Sequence, residues 1–534
     1  MHQDQRLLSP QRAVRVRYRH GLVVALTATS LVVSACTGSK PAASDGGQPS
    51  ASNKVGDQLS MVSVTSPQTL DPAKAVETDS YFEELAYQPL IVRRADGTLA
   101  PGLATSWSYT GTGNTTFVLQ LRSGVKFSDG AALTAQSVVD DLKYVVASNG
   151  QLAPLLAADT FTATGPLTVT ITAKTANPNF PELLTQDYVI GGMISATGLS
   201  TPAQLGTHTF GAGPYQLDPA QTVSGDHYTY IPNPNFYDKP SVHWRKILIR
   251  VITNPQAVVN ALKTGQADIA QGDPSTLASA RSAGLTVTSA PQLWLGVILA
   301  DRNGSKAKPL ADPRVRQALN YATDRAAIAK ALFGGVGDPT DQPTVSNGYG
   351  FDAGLANSYS YDLNKAKSLL AAAGYPNGLT LKMATPEYQQ LNLVAQALAQ
   401  EWKQAGVTVQ LTDEANPSQY TSATFGGTFP SFMVAFGNIP MWMQGPSLFL
   451  PSAAFNPFHV AEPALQALAD QQARASDSQR DALDKQIEAF LVNQAWFVPV
   501  VTTGLAFYAR KTVTGTATSA KAPLLPLYEV QPAA

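Results

Sequence analysis

A chain of 534 residues is too long for one ordinary hydrophobic core, and at about 100–200 residues per domain it predicts roughly two to four domains. Apolar residues make up 44% and charged residues 14%, with a formal net charge of −1, which excludes bulk attraction to nucleic acid or acidic lipid. A single cysteine excludes an intramolecular disulfide, a cysteine-based metal site and a redox pair.

The chain opens with a basic segment carrying Arg6, Arg12, Arg15, Arg17 and Arg19, followed by an apolar run over residues 21–33. That run has the length of a signal-peptide core and is short for a bilayer span. Val33-Ser34-Ala35-Cys36 then resembles a bacterial lipobox: an aliphatic residue, two small residues and a cysteine at the cleavage point. The resemblance implies that residues 1–35 are a lipoprotein signal peptide. It also implies that Cys36 is acylated, with palmitate-type chains, and becomes the first mature residue. Each buried acyl methylene contributes about 0.8 kcal/mol, so the chains together hold a folded body at a membrane surface. The plainer alternative is a signal peptide with an incidental cysteine. Residues 36–57 are rich in Ser, Gly, Ala and Pro with no apolar period, and read as a flexible tether. Beyond Asp57 no apolar run has the length of a membrane span, which predicts a soluble body on an N-terminal leash.

The body alternates strand and helix patterns. Residues 58–64 read as a strand, and residues 115–130 as two strands and a turn. Thr134 is placed to cap a helix with Val138, Leu142 and Val145 on one face. Residues 167–173 and 246–252 are further strands. Gly265 is placed to stop a helix holding Ala257, Ala261 and Leu262. Asp312 and Pro313 start a helix with the stripe Val315, Leu319 and Ala322. Asp324 starts the next, with Ile328, Ala331 and Leu332, and Gly334 stops it. A helix opened by Asp362 ends at Gly374, and another over residues 391–405 ends at Gly406 before the strand "VTVQL".

The usual catalytic signatures are missing: there is no Gly-x-Ser-x-Gly elbow, no His-Glu-x-x-His helix and no Gly-Lys dipeptide for a phosphate loop. The six histidines are scattered, and the pair His459 and Glu462 stands alone where a metal needs three or four converging ligands. Ser305-Lys306-Ala307-Lys308 and Lys263-Thr264-Gly265 fit two motifs of serine acyl-transfer enzymes. Their order is reversed, and Ser305 sits between Gly304 and Pro309 in a loop where an acylating serine should open a helix. No catalytic residue, cofactor or metal is therefore expected.

Several longer stretches share one likeness. They are "TLDPAKAVETDS", "YQPLIVRRADGTLAPGLATSWS", "LQLRSGVKFSDGAALTAQSVVDDLKY", "GAGPYQL" with "NPNFYDKP", "VVNALKTGQADIA" and "DPRVRQALNYATDRAAI". In this order and spacing the chain, from about Leu70 to Val500, resembles the extracellular solute-binding proteins of the peptide/nickel class. These are the capture subunits of ABC importers for oligopeptides and dipeptides. Locally, the same motifs have structural explanations: Asp129-Gly130 makes a turn, Gly213-Pro214 re-aims a strand, and Asp312-Pro313 and Asp324 start helices.

The resemblance implies an α/β, two-lobed periplasmic-binding-protein fold with an extra inserted domain and a hinge-closing cleft. It places lobe one at residues 58–99, 206–292 and 497–534, the inserted domain at 100–205, and lobe two at 293–496. The implied partners are a peptide or peptide-like ligand, the permease and ATPase subunits of an importer, and the membrane reached through the lipid anchor, with the chain itself a monomer. Alternatives are a non-peptide solute (an oligosaccharide, a modified or amphiphilic peptide, a metal chelate), or a sensor or chaperone on the same fold.

The resemblance also implies site residues. Peptide-binding members place an Asp, which pairs with the peptide's free α-amine, in a stretch matching "VAFGNIPMWMQGPSLFL"; Asn438 stands there instead. An Asn accepts a hydrogen bond from ammonium but brings no charge, which puts ordinary free-amine capture in doubt. Met441 and Trp442 beside it suit either an adaptable ligand surface or core packing. The segment after Leu70-Asp71-Pro72 lines the cleft in relatives, which points to Val76, Glu77 and Thr78. Trp294 heads a strand at the lobe boundary and suits either stacking on ligand or packing.

Overall fold

The computed structural model describes residues 55–76, 80–148, 150–334, 337–388 and 390–534. Cys36, the signal segment, nearly all of the tether, Glu77 and Thr78 lie outside the described residues. Within them, no helix is long and apolar enough to cross a membrane.

Strand β1 (Leu59–Ser63) is buried along its whole length, its two serines included, and pairs in parallel on both sides, as a strand in a sheet covered on both faces does. The chain then builds a separate antiparallel sheet from β2 (Ala104–Tyr109), β3 (Thr116–Leu121), β4 (Thr160–Gly165) and β5 (Thr168–Thr172), in the order β2-β3-β5-β4. Helix α1 (Ala135–Ala147) packs with it. Thr134 starts this helix through a capping box with Ser137, and Val138, Leu142 and Val145 are buried. The second strand expected before Gly130 does not form. Val125 and Phe127 are buried in the core, yet the backbone there makes only a bridge between Lys126 and Ala132, so the alternation records burial and not a ladder. The core of this unit also draws Leu90, Ile91 and Ala212 from outside residues 100–205.

Ten further strands join β1 in one large mixed sheet: β6 (Tyr215–Leu217), β7 (His227–Pro232), β8 (Ile247–Val251), β9 (Ile269–Gly272), β10 (Thr286–Leu299), β11 (Leu379–Pro386), β12 (Val407–Glu414), β13 (Ser431–Gly437), β14 (Phe497–Ala509) and the two-residue strand Asp338–Pro339, which pairs with β14 off the main path. Their order is β12-β11-β13-β10-β14-β9-β1-β8-β7-β6. β10 and β14 pair antiparallel from Thr286–Ala509 to Ile298–Phe497. One end of β14 pairs with β9, while the far end of β10 pairs with β13, so these two strands tie the wings of the sheet together. Their register is irregular between Pro291 and Leu293 and again between Leu295 and Gly296.

Helices cover the sheet: α2 (Pro255–Lys263), α3 (Leu277–Ser282), α4 (Pro313–Tyr321), α5 (Arg325–Phe333), α6 (Leu363–Ala372), α7 (Leu391–Ala405), α8 (Pro463–Arg474) and α9 (Asp477–Asn493). Asp312 caps α4 with Pro313 in its first turn, Asp324 caps α5, and Gly334 ends α5 in the left-handed region. Of the expected inner stripe of α5, Ile328 is buried and Leu332 packs against the core, but Ala331 is exposed and Ala329 is buried in its place. β10 is covered on both faces. Leu295, Val297 and Leu299 enter one core with α4 and α7, whereas Trp294 and Ile298 enter a second core with Phe432, Phe436 and Leu448.

Candidate ligand cleft

β13 stops at Gly437, and the next residue bridges three segments. The Asn438 backbone N–H donates to the Gln292 carbonyl at 2.8 Å. Its Oδ1 accepts the Tyr349 N–H at 3.0 Å, and its Nδ2 donates to the Ala520 carbonyl at 2.7 Å. The approach depends on Gly348, where a Cβ would lie 2.3 Å from that Oδ1. Tyr349 is presented by a tight loop with Asn347 and Gly350 both at positive φ, and Lys521 by a turn closed between Ser519 and Ala522. Around Asn438 lies a cavity of about 100 Å³ bordered by Asp187, Tyr188, Gln292, Tyr349 and Lys521. A second cavity, of about 260 Å³, shares Tyr349 and Lys521 and adds Trp107, Glu182, Met441 and Asp484. The Lys521 ammonium stands 5.1 Å from the centre of the Tyr349 ring.

The walls are rich in carboxyls held away from water. Arg93, 2% exposed, donates to Asp187 at 2.5 Å; burial still pushes the Asp187 carboxyl upward against the pull of Arg93. Burial raises Glu182 as well, opposed by Arg93 and Arg480. Asp484 is pushed up to about 6 by burial, although Gln472 Nε2 donates to it at 2.9 Å. Glu488, fully buried behind it, is raised well above the usual range by desolvation and then by Asp341, Asp352 and Asp484. Carboxyls, the Lys521 ammonium and the aromatic faces of Trp107 and Tyr349 together suit non-covalent capture of a polar solute. Among the described residues no group of three or more His, Cys, Asp or Glu is arranged to hold a metal ion.

The residues named from the sequence are distributed unevenly. Asn438 borders the smaller cavity, but its amide is engaged by the chain itself on both sides. Met441 is 1% exposed, packs in the core with Trp294 and also borders the larger cavity. Trp442 is half-buried, and its Nε1 donates to the Ala176 carbonyl at 3.1 Å. Trp294 is 0% exposed, with rings of Phe436 and Phe497 at 6.3 and 5.7 Å, so packing is the role seen here and it borders neither cavity. The physical reason is that its face of β10 points into the second core. Val76 is partly buried and borders neither cavity; Glu77 and Thr78 lie outside the described residues. Ser305, the residue of the acyl-transfer motif, is a loop staple whose Oγ donates to Asp301 at 2.8 Å.

Tyr349, Lys521, Asp187, Glu182 and Asp484 were not singled out by sequence reasoning. They come from segments far apart in the chain, and none carries a local motif. The pairing of Asp187 with Arg93 had no sequence signal either.

A family model described as bacterial extracellular solute-binding proteins, family 5 (middle), matches residues 98–454. A glutathione-binding protein, GsiB, of Pectobacterium atrosepticum is 30% identical over 357 residues, covering 64% of this chain and 66% of that protein, just under two thirds of its length. The nickel-binding periplasmic protein of Escherichia coli K12 is 27% identical over 473 residues, covering 81% of this chain and 86% of that protein. Among solved structures, HbpA2 from Haemophilus parasuis superposes with a TM-score of 0.78 over 90% of this chain and 100% of its own, at 21% identity, a likeness of fold. The mixed α/β architecture, the helix starts and the family model agree: the chain belongs to the bacterial extracellular solute-binding proteins of family 5, a family of binding proteins and not of enzymes.

Proposed function

We propose that this protein is the solute-capture subunit of an ABC importer, taking peptides or peptide-like molecules into the cleft around Asn438 and Tyr349. In this reading residues 58–99, 206–292 and 497–534 form one lobe, residues 293–496 the other, and residues 100–205 an inserted domain. β10 and β14 serve as the hinge strands. Residues 1–35 direct export, and the acylated Cys36 holds a monomeric body at the outer face of the cell membrane.

The observation that carries the reading is the makeup of the two cavities. Their borders come from segments around residues 187, 349, 438 and 521, which only the tertiary fold brings together, and they offer both signs of charge beside aromatic faces. A peptide presents that mixture: termini of opposite charge and a polar backbone. The relative named for glutathione, itself a small peptide, supports the same class. The relative named for nickel favours a second reading in which the solute is a metal chelate, bound as cargo through the organic part of the complex.

The test is to purify the chain under mild conditions, release bound small molecules by denaturation and identify them by mass spectrometry. A stoichiometric peptide-like mass that rebinds in calorimetry is expected. A co-purifying metal complex would favour the second reading, and covalent turnover of an added peptide would overturn both.

A further inference from the structure

We propose that Asn438 is a latch that holds the cleft closed, acting through its amide on Ala520 and not on the solute. The inference rests on the capture reading above. Asn438 and Tyr349 belong to the part of the chain built on β10–β13. Ala520 belongs to the C-terminal segment, whose Leu525, Leu527 and Val530 pack into the core that contains β1. That segment is further fixed there by the Leu527 N–H donating to Glu84 at 2.7 Å. The Asn438–Ala520 bond therefore crosses from one core to the other.

Position 438 needs a group that accepts and donates at once. Oδ1 takes the Tyr349 N–H from its own side and Nδ2 gives to Ala520 across the cleft. Aspartate can accept only, and leucine can do neither. A longer glutamine meets the same loop that already requires glycine at 348. Three further bonds join the segments near residues 442, 475 and 480 to residues 114–178 of the inserted domain, each a side-chain N–H on a main-chain carbonyl. Trp442 Nε1 donates to Ala176 at 3.1 Å, Arg480 to Pro178 at 2.6 Å and Asn114 Nδ2 to Ala475 at 2.8 Å. Closure of this kind uses none of the solute's own polar groups, so solutes of different sequence meet the same latch.

The experiment compares the chain carrying Cys36→Ala with the same chain also carrying Asn438→Asp, both stripped of bound solute. Small-angle X-ray scattering reads the separation of the lobes, and hydrogen exchange reads the Tyr349 amide. Trialanine and N-acetyl-trialanine are the calorimetric probes. Asn438→Asp keeps an acceptor for Tyr349 but loses the donor to Ala520. The expected result is a larger radius of gyration, unchanged protection at Tyr349, and both peptides weakened equally, by about fivefold or more. An unchanged radius of gyration overturns the latch. Lost protection at Tyr349 also overturns it, by assigning the residue to local structure. A gain in affinity confined to trialanine overturns it too, by making residue 438 the partner of the solute's amine. If neither peptide binds the parent, the peptide reading fails while the scattering still decides the latch.

Discussion

Gly504 lies so close to Ala290 that a Cβ on it would sit 1.7 Å from the Ala290 carbonyl oxygen. It faces Pro291 in the register of β10 and β14, beside the irregularity between Pro291 and Leu293. Pro291 has no N–H to give to the ladder, so the pairing at this point is weak in hydrogen bonds and depends on close backbone contact. Gly504→Ala should force the strands apart where they tie the wings together. A loss of about 3 kcal/mol or more is expected, because the obstructing atom is backbone and cannot rotate away. Urea denaturation followed by tryptophan fluorescence checks it; a midpoint unchanged from the parent would show that the crossing is slack.

Beside the same crossing is an apolar groove of about 580 Å³. Leu277 and Ala278 of α3 form one wall, and Leu332 and Phe333 of α5 the other; Leu293 and Thr503 lie at its base. It shares Leu293 with the cavity around Asn438 and no bordering residue with the larger cavity beside Met441. If the wings rotate about β10 and β14 so that opening the cleft narrows this groove, bulk in the groove opposes opening. Ala278, exposed in the groove, is a place to insert bulk without disturbing the core. Ala278→Trp should hold the cleft closed, giving a smaller radius of gyration in the solute-free protein and slower release of bound solute. A larger radius would reverse the assigned sense of rotation.

Helix starts were legible in the sequence because capping is local chemistry. Thr134, Asp312 and Asp324 each satisfy backbone N–H groups within three residues, whatever the rest of the chain does. The family was legible for a related reason: its motifs are mostly such turns and caps in a fixed order. The cleft was not. Tyr349 and Lys521 meet only because two separate loops converge, and nothing near either residue announces it. Trp294 shows another limit. Its strand is buried on both faces, so alternation along β10 cannot separate a side chain that faces a cavity from one that faces a core. The missing strand before Gly130 has the same origin: burial of Val125 and Phe127 without a neighbouring strand to pair with.

Asp484 gives the protein a pH dependence whose sign follows from burial. Its folded value, about 6, lies above the ordinary 3.8. Desolvation is the main cause; the Gln472 hydrogen bond, Arg480 and Lys521 act against it, and Asp481 adds to it. Between those two values the folded protein holds a proton that the unfolded chain has lost. The favourable contribution is therefore fully present below about pH 4 and is lost as pH rises through about 6, amounting to roughly 3 kcal/mol at most. Asp484→Asn keeps a hydrogen-bond acceptor for Gln472 and removes the titration. It should raise the thermal midpoint at pH 7.5 relative to the parent and flatten the change between pH 4 and 6. A parent and variant with parallel pH profiles would place Asp484 in water and not in the wall of the cleft.

Attachment to the membrane rests on Cys36 alone in the capture reading. No described helix crosses a bilayer, and the net charge of −1 gives anionic lipid little to attract. Two or more acyl chains on one thiol-bearing terminus would hold the body firmly, because each buried methylene contributes about 0.8 kcal/mol. Cys36→Ala removes the acceptor and nothing from the cores of the described residues, all of which lie beyond residue 58. The variant should therefore keep the thermal midpoint and solute affinity of the parent while moving from the membrane pellet to the soluble fraction. Fractionation of cells expressing each form, with detergent release as the control, decides it. A variant that sediments with membranes as completely as the parent would mean that something other than lipid on Cys36 holds the protein there.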